Sequence, residues 1–380
     1  MLTRKQVLMV KVESTEGVNA NPAPETDALL ILEGGGVTPE GQVVGSARLS
    51  STLSREPDKI GQFLLGLTAP CEFRGNGIVG NAVNKPDFDA VLRACAMKRT
   101  DIEFIQADGF AGTFERGETV TGGTSGATGQ FVGKGKDGII VEGVVGTFSL
   151  GEVLTGATSA ASANATDDPI SGHQYMPTSV HADKPSVTAI RYQDGHKFSL
   201  VGGRADYSIT LPSGEKGTIE FTIRGSWEEV VQESNPTPTL NDAEAPLVES
   251  MNLEVAGYAP LGVTNLALSG ANSLSKLPDM NASEGLRGMG VTGRQPAGSF
   301  DPEAVELSQY NPWSEWKAGT LGEISFQLGS APGNRIFVCM PKVQRTSVAY
   351  GDREGTVVYD EAFELKRDVV GDDELRLVFF

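Results

Sequence analysis

Along most of the chain, apolar residues alternate with polar ones or gather in short runs bounded by glycine and proline. That is the pattern of β-strands. Such stretches are Val7 to Val12, Ala28 to Leu32, Gln42 to Thr52, Val187 to Tyr192, Phe198 to Val201, Gly322 to Leu328 and Arg335 to Met340. The alternation is sharpest at Asp206 to Leu211 and Thr218 to Ile223, separated by Pro212 to Gly217. There Tyr207, Ile209 and Leu211, and then Ile219, Phe221 and Ile223, predict a hairpin with one buried and one polar face. Helical spacing is scarce. Phe88, Val91, Leu92 and Cys95 follow Pro86 and Asp87 at helical intervals, predicting a helix over 86–97. Phe300 to Leu307 is a second helix candidate.

Two repeats organise the chain. Gly112-Thr113-Phe114-Glu115-Arg116-Gly117-Glu118-Thr119-Val120-Thr121-Gly122 is echoed by Gly146-Thr147-Phe148-Ser149-Leu150-Gly151-Glu152-Val153-Leu154-Thr155-Gly156. Few large apolar residues accompany either copy, so 107–168 is expected to be a small, shallow, polar β module inserted at the surface. The longer repeat is one of element order: strands, a helix and a strand pair occur on both sides of the proline-rich Asn235 to Thr239. The predicted organisation is 1–27 as an N-terminal arm with the first strand, 28–106 with 169–238 as a first domain, 107–168 as the insert, and 239–380 as a second, duplicated domain. The expected fold class is mainly β, with sandwich or barrel domains that each carry a packed helix.

Composition narrows the chemistry. Glycine (47) and proline (20) suit many turns, and 49 acidic against 31 basic residues leave a net charge of -18. So acidic a chain lacks the clustered cations that grip nucleic acid. Cys71, Cys95 and Cys339 are odd in number and widely separated, and His173, His181 and His196 show no zinc spacing, so buried free thiols and no metal are expected. No apolar run reaches the roughly 18 residues that a membrane helix needs, and no signal peptide is legible.

Gly75-Asn76-Gly77-Ile78-Val79-Gly80 fits the dinucleotide-binding spacing, but Pro86 opens the following helix too late for pyrophosphate to meet its amides. Gly133-Lys134 lacks the P-loop spacing, and no catalytic triad or calcium loop is present. The cluster Tyr310-Asn311-Pro312-Trp313-Ser314-Glu315-Trp316 reads as a loop anchor, with a sugar-stacking platform as the alternative. No catalytic residue, cofactor or metal ligand is assigned.

The opening Gln6 to Gly17 with Asn21 to Leu30, the helix Pro86 to Cys95, Tyr192 to Lys197, Gly202 to Asp206 and Gly217 to Gly225 together resemble the tail tube (major tail) proteins of long-tailed bacteriophages. The likeness covers most of 1–100 and 175–240. It implies a virion protein assembled in the host cytoplasm, whose strands join a shared β-barrel around a channel. Rings would stack into a tube through which DNA passes without specific binding. Partners would be further copies of the chain and the tail terminator, tape measure and distal tail proteins, with no membrane. A duplicated protein would form trimeric, pseudo-hexameric rings, and an unduplicated one hexamers. Inter-ring contacts are expected from Met1, Leu2, Thr3, Arg4, Lys5 and Gln6, while the lumen-facing acids stay unassigned. Deleting 1–12 is then expected to block assembly, and deleting 108–167 to leave thinner tubes. The competing class is a β-sandwich adhesin of a virion that binds glycans through Trp313 and Trp316.

Overall fold

The computed structural model describes residues 2, 4–78, 85–282 and 285–380. In chain order the elements are β1 (Gln6–Val12), β2 (Ala28–Leu29), β3 (Gly36–Val44), β4 (Lys59–Glu72), α1 (Asp89–Ala94), β5 (Met97–Ala111), β6 (Thr119–Gly122), β7 (Thr128–Gly135) and β8 (Gly138–Val145). Next come β9 (Val153–Gly156), β10 (Ser162–Ala165), β11 (Ile170–Pro177), β12 (Val187–Gln193), β13 (His196–Pro212), β14 (Thr218–Trp227) and β15 (Val231–Gln232). The remainder is β16 (Glu254–Val255), β17 (Asn265–Ser269), β18 (Asn272–Pro278), β19 (Leu286–Arg294), β20 (Ala297–Phe300), α2 (Pro312–Ala318), β21 (Leu321–Leu328), β22 (Ile336–Arg353), β23 (Thr356–Lys366) and β24 (Arg376–Phe379).

A ribbon of antiparallel strands forms the backbone of the molecule, in the order β3, β4, β14, β13, β17, β20, β23 and the second half of β22. The hairpin predicted from alternation is its centre, with Tyr207 opposite Phe221 and Ile209 opposite Ile219. Because side chains alternate across a strand, Leu67, Phe221, Ile209, Leu268 and Phe363 all point to one face, where they are buried. The other face carries Thr68, Thr222, Ser208, Glu220 and Asp360. Both halves of the chain enter the ribbon in the same manner: first strand, second strand, fourth, third. In each a helix, α1 or α2, lies between the second strand and the third.

A second layer closes over the apolar face. It consists of β1 between β2 and β12, and of β11, β24, the first half of β22, β21 and β16. One core results, running from Leu8 through α1 (Val91 and Leu92) to Leu377 and Phe379. Phe88 precedes α1, which is shorter than the 86–97 expected.

The insert is a closed barrel rather than a shallow sheet. Pairing runs from β5 to β8, β7, β6, β9, β10 and back to β5. Its interior holds the equivalent pairs Phe114 and Phe148, and Val120 and Leu154, beside several alanines. So few strands enclose so narrow a space that small side chains fill it, which is why low apolar content read as a shallow module. β5 crosses residues 106 and 107 without a break. On the barrel's flank Ile102, Phe104, Val132 and Ile140 pack against Phe337, Val378 and Phe380. Deleting 108–167 would therefore cut a shared strand and uncover this seam, so that deletion is no simple shaving of the exterior.

Three other expectations differ from the structure. Strand β3 ends at Val44, so of the stretch Gln42 to Thr52 expected as a strand, 45–52 has no regular pairing. The strands that open the second half in the longer repeat were expected over Val248 to Leu268, which holds only the short β16 and most of β17. Phe300 to Leu307 is not helical: Glu303 N–H bonds Leu261 O and Ala304 N–H bonds Val357 O, so cross-chain partners replace helical ones. The second helix lies at Pro312–Ala318, where Asn311 accepts from Ser314 N–H and Gly319 takes the left-handed conformation at φ 65° that ends it.

The Phe104 ring is fully buried and stacked on Phe380 with centroids 4.5 Å apart. Phe104→Ala is expected to cost about 3–5 kcal/mol. In calorimetry it should split barrel melting from body melting, and a single unshifted transition would contradict the seam.

Candidate functional site

The residues expected to contact neighbouring rings fall into two environments. Gln6 starts β1, and its side-chain oxygen accepts from the Arg191 guanidinium. Arg191 is almost completely buried and also donates to Gly36 O (3.1 Å) and Thr68 O (2.9 Å), tying β12 to β1, β3 and β4. Burial lowers its pKa below the ordinary arginine value. Leu2, Arg4 and Lys5 are exposed. Leu2 N–H donates to Asp194, Arg4 pairs with Glu33 at 2.8 Å, and Asn235 donates to Lys5 O. Met1 and Thr3 lie outside the described residues. Deleting 1–12 would remove a core strand bearing buried Leu8 and Val10, so it tests folding rather than contact.

The β3–β4 hairpin is the feature that sequence reading missed. Every residue from Gly41 to Ile60 is exposed, and Leu49 and Leu53 have no cover at all. The signal was present in Ser46 to Ser54, where serine, threonine and arginine interrupt any period-two pattern. At its root β18 and β19 pair with each other and lie against the hairpin. Leu286 and Met289 cover Leu64 there, and Gln62 donates to Gly285 O.

The glycine motif is structural where it is described. Gly75 N–H donates to Asn334 and Gly77 N–H to Gly333 O. A Cβ on Gly75 would sit 2.3 Å from Gly333 O, so close chain crossing requires the glycine. α1 begins only at Asp89, and Val79 and Gly80 lie outside the described residues. The aromatic cluster is an anchor. Tyr310 is buried and stacked on Tyr258, and its hydroxyl donates to Glu361 at 2.8 Å. Arg345 bridges Glu361 and Glu315. Burial pushes Glu361 above the ordinary carboxylate range against the pull of Arg345. Trp313 packs on Tyr350 and Tyr359, leaving Trp316 as the exposed member. Cys71, Cys95 and Cys339 are free and buried, and burial pushes the Cys71 and Cys339 thiols up to about 12. Among the described residues no acid, histidine and cysteine group could hold a metal, and no helix is long and apolar enough to cross a membrane.

The short repeat carries a reciprocal carboxylate lock. Glu118, in the first copy, accepts from Thr158 N–H, Ser159 N–H and the Ser159 hydroxyl of the second. Glu152, in the second, accepts from Thr124 N–H, Ser125 N–H and the Ser125 hydroxyl of the first. Burial opposes ionisation of Glu118, yet the bonds from Ser159, Glu115 and Thr158 outweigh it and hold the carboxyl at about 2. Glu152 is lowered for the same reasons, through Ser125, Ser149 and Thr124. Arg116, beside Glu118, fastens the barrel to the body through Glu323 (2.5 Å) and Asp368 (3.4 Å).

The family model for phage tail tube proteins matches residues 3–364 of the chain. No curated protein matches it in sequence.

Because the folded Glu118 carboxyl sits below its ordinary 4.5, its stabilisation is complete above that pH and is lost as pH falls through about 2. Glu118→Gln is expected to destabilise the barrel by about 2 kcal/mol at neutral pH and to flatten its acid dependence. Acid titration of barrel melting, followed by circular dichroism, measures both.

Proposed function

Since the chain belongs to the phage tail tube protein family and is thus a structural protein of the virion tail, we propose that it polymerises as stacked rings into a hollow conduit for DNA. The observation that carries this reading is the eight-stranded ribbon with two unpaired edges. Among the described residues β3 is paired only through β4, and the second half of β22 only through β23. Open edges invite strand pairing with another chain. Two different edges joined head to tail form a heterologous contact, which closes into a ring when the rotation allows.

The same strand order in the two halves supports a duplication. Three copies giving eight strands each would then close the barrel that six copies giving four would close. The polar face of the ribbon would line the channel. On it Arg224 is matched by Glu40 and Lys366 by Glu364, while Glu220 and Asp360 add negative charge. A passing phosphate backbone meets repulsion there rather than cation contacts that would release its counterions. The closed barrel of β5 to β10 would sit outside. Leu2, Arg4 and Lys5 remain proposed contacts between rings, and the tail terminator, tape measure and distal tail proteins remain the proposed end partners.

Negative-stain electron microscopy of the purified protein is expected to show channelled rings or tubes with three-fold end-on averages. Compact particles without a channel, at high concentration, would overturn the reading. Deleting residues 2–5 is expected to shorten stacks while leaving rings intact. Glu220→Lys with Asp360→Lys should assemble normally but retain DNA, with salt-sensitive binding that wild-type tubes lack.

A further inference from the structure

The closed barrel does not lie flush on the body. It straddles one face of β21 and grips it at two places. Glu323 is held by Arg116, and Gln327 accepts from Lys136 N–H. Because side chains alternate along a strand, Ser325 shares this face and lies between the grips. Opposite Ser325, on β16, is Glu254. A cleft of about 570 Å³ remains between barrel and body here, a size common among small-ligand sites.

On both walls main-chain groups are engaged. In the barrel Gly117 N–H donates to Phe131 O, Phe131 N–H to Glu118 O and the Arg116 side chain to Val132 O. In the body Gln327 N–H donates to Met251 O, Ala256 N–H to Glu323 O, and Val255 and Tyr258 exchange bonds. The polar side chains show the reverse. Among the described residues, Thr113, Asn252, Glu254 and Ser325 line the cleft without a side-chain hydrogen bond, and Lys134 and Lys136 line it without an acid partner. The Lys134 amine rests over the half-buried Phe110 ring, 4.2 Å from its centroid. Lys136 also borders a second hollow of about 400 Å³, beside Ser250 and Ser330, so the opening continues past it.

We propose that this cleft binds an acidic oligosaccharide, with its carboxylates on Lys134 and Lys136 and its hydroxyls on Ser325, Glu254, Asn252 and Thr113. An added peptide strand needs a free backbone edge, and a nucleotide phosphate favours a cradle of backbone amides. Uncommitted hydroxyl, amide and carboxylate side chains instead suit a ligand dense in hydroxyls, which both donate and accept. Two ammonium groups add a preference for negative charge, on a chain whose net charge of -18 repels anions elsewhere. A cation–π contact that faces solvent is weak. A ligand carboxylate therefore draws Lys134 off Phe110 and frees the ring for the apolar face of a sugar. Two hollows that meet at Lys136 fit a chain of sugars better than a single one. The cleft is complete within one chain, so this inference goes beyond the tube reading and stands apart from ring assembly.

Isothermal titration calorimetry of the full chain with short oligomers of galacturonate, alginate and hyaluronan tests the proposal. At least one is expected to bind, and maltotetraose, which has hydroxyls without carboxylates, to bind more weakly. Lys134 and Lys136 are exposed, and alanine at 136 keeps the N–H that meets Gln327. Lys134→Ala with Lys136→Ala is expected to weaken the acidic oligomer about tenfold and to leave maltotetraose unchanged. Asn252→Ala with Ser325→Ala should weaken both ligands alike. Lys276→Ala with Lys317→Ala, two exposed lysines outside the cleft, should change neither. Unaltered melting by circular dichroism separates lost contacts from lost folding. Failure of all three acidic oligomers to bind, undiminished binding by the Lys134 and Lys136 variant, or equal binding of a single-stranded oligonucleotide of like charge would overturn the site.

Discussion

The structure depends on one strand being wedged between others. β24 lies between β11 of the first half and β22 of the second, so its pairing fixes how the halves meet. The Phe379 ring sits among Phe73, Phe88 and Tyr175, all from the first half, with centroids 5.7 to 5.9 Å away. Its neighbour Phe380 stacks on Phe104 at the barrel. Backbone pairing gives the position, and the aromatic contacts make it costly to leave. Body, second half and barrel therefore meet at this strand, while the pairing of β13 with β17 carries the ribbon from one half to the other.

That joint also explains why the chain was only partly legible as a string. Strands with strict alternation, such as those bearing Tyr207 and Phe221, were readable because one face of each meets a core. Helix α1 was readable from Phe88, Val91 and Leu92 for the same reason. Phe300 to Leu307 misled because its backbone groups are claimed by Leu261 and Val357, from distant loops that no local window includes. The second helix announced itself only through Asn311, Pro312 and Gly319, cap signals attached to an aromatic stretch that drew attention for its rings.

The candidate sites show the same division. The repeat of Glu118 and Glu152 was plain in the sequence, but each carboxylate serves the threonine–serine turn of the other copy. That exchange becomes visible only when the barrel closes. The glycines at 75 and 77 had the spacing of a nucleotide loop and the purpose of a chain crossing at Gly333. Gln6 was grouped with the exposed residues before it, although it answers the buried guanidinium of Arg191. In each case the partner lies far along the chain.

The unequal treatment of the two equivalent connections has a mechanical consequence. The first-half hairpin stands free, while its second-half counterpart is folded down as a brace. A force on the free hairpin tip bends that hairpin alone, whereas a force on its counterpart, β18 and β19, is passed through Leu286 and Met289 to Leu64 in the body of the ribbon.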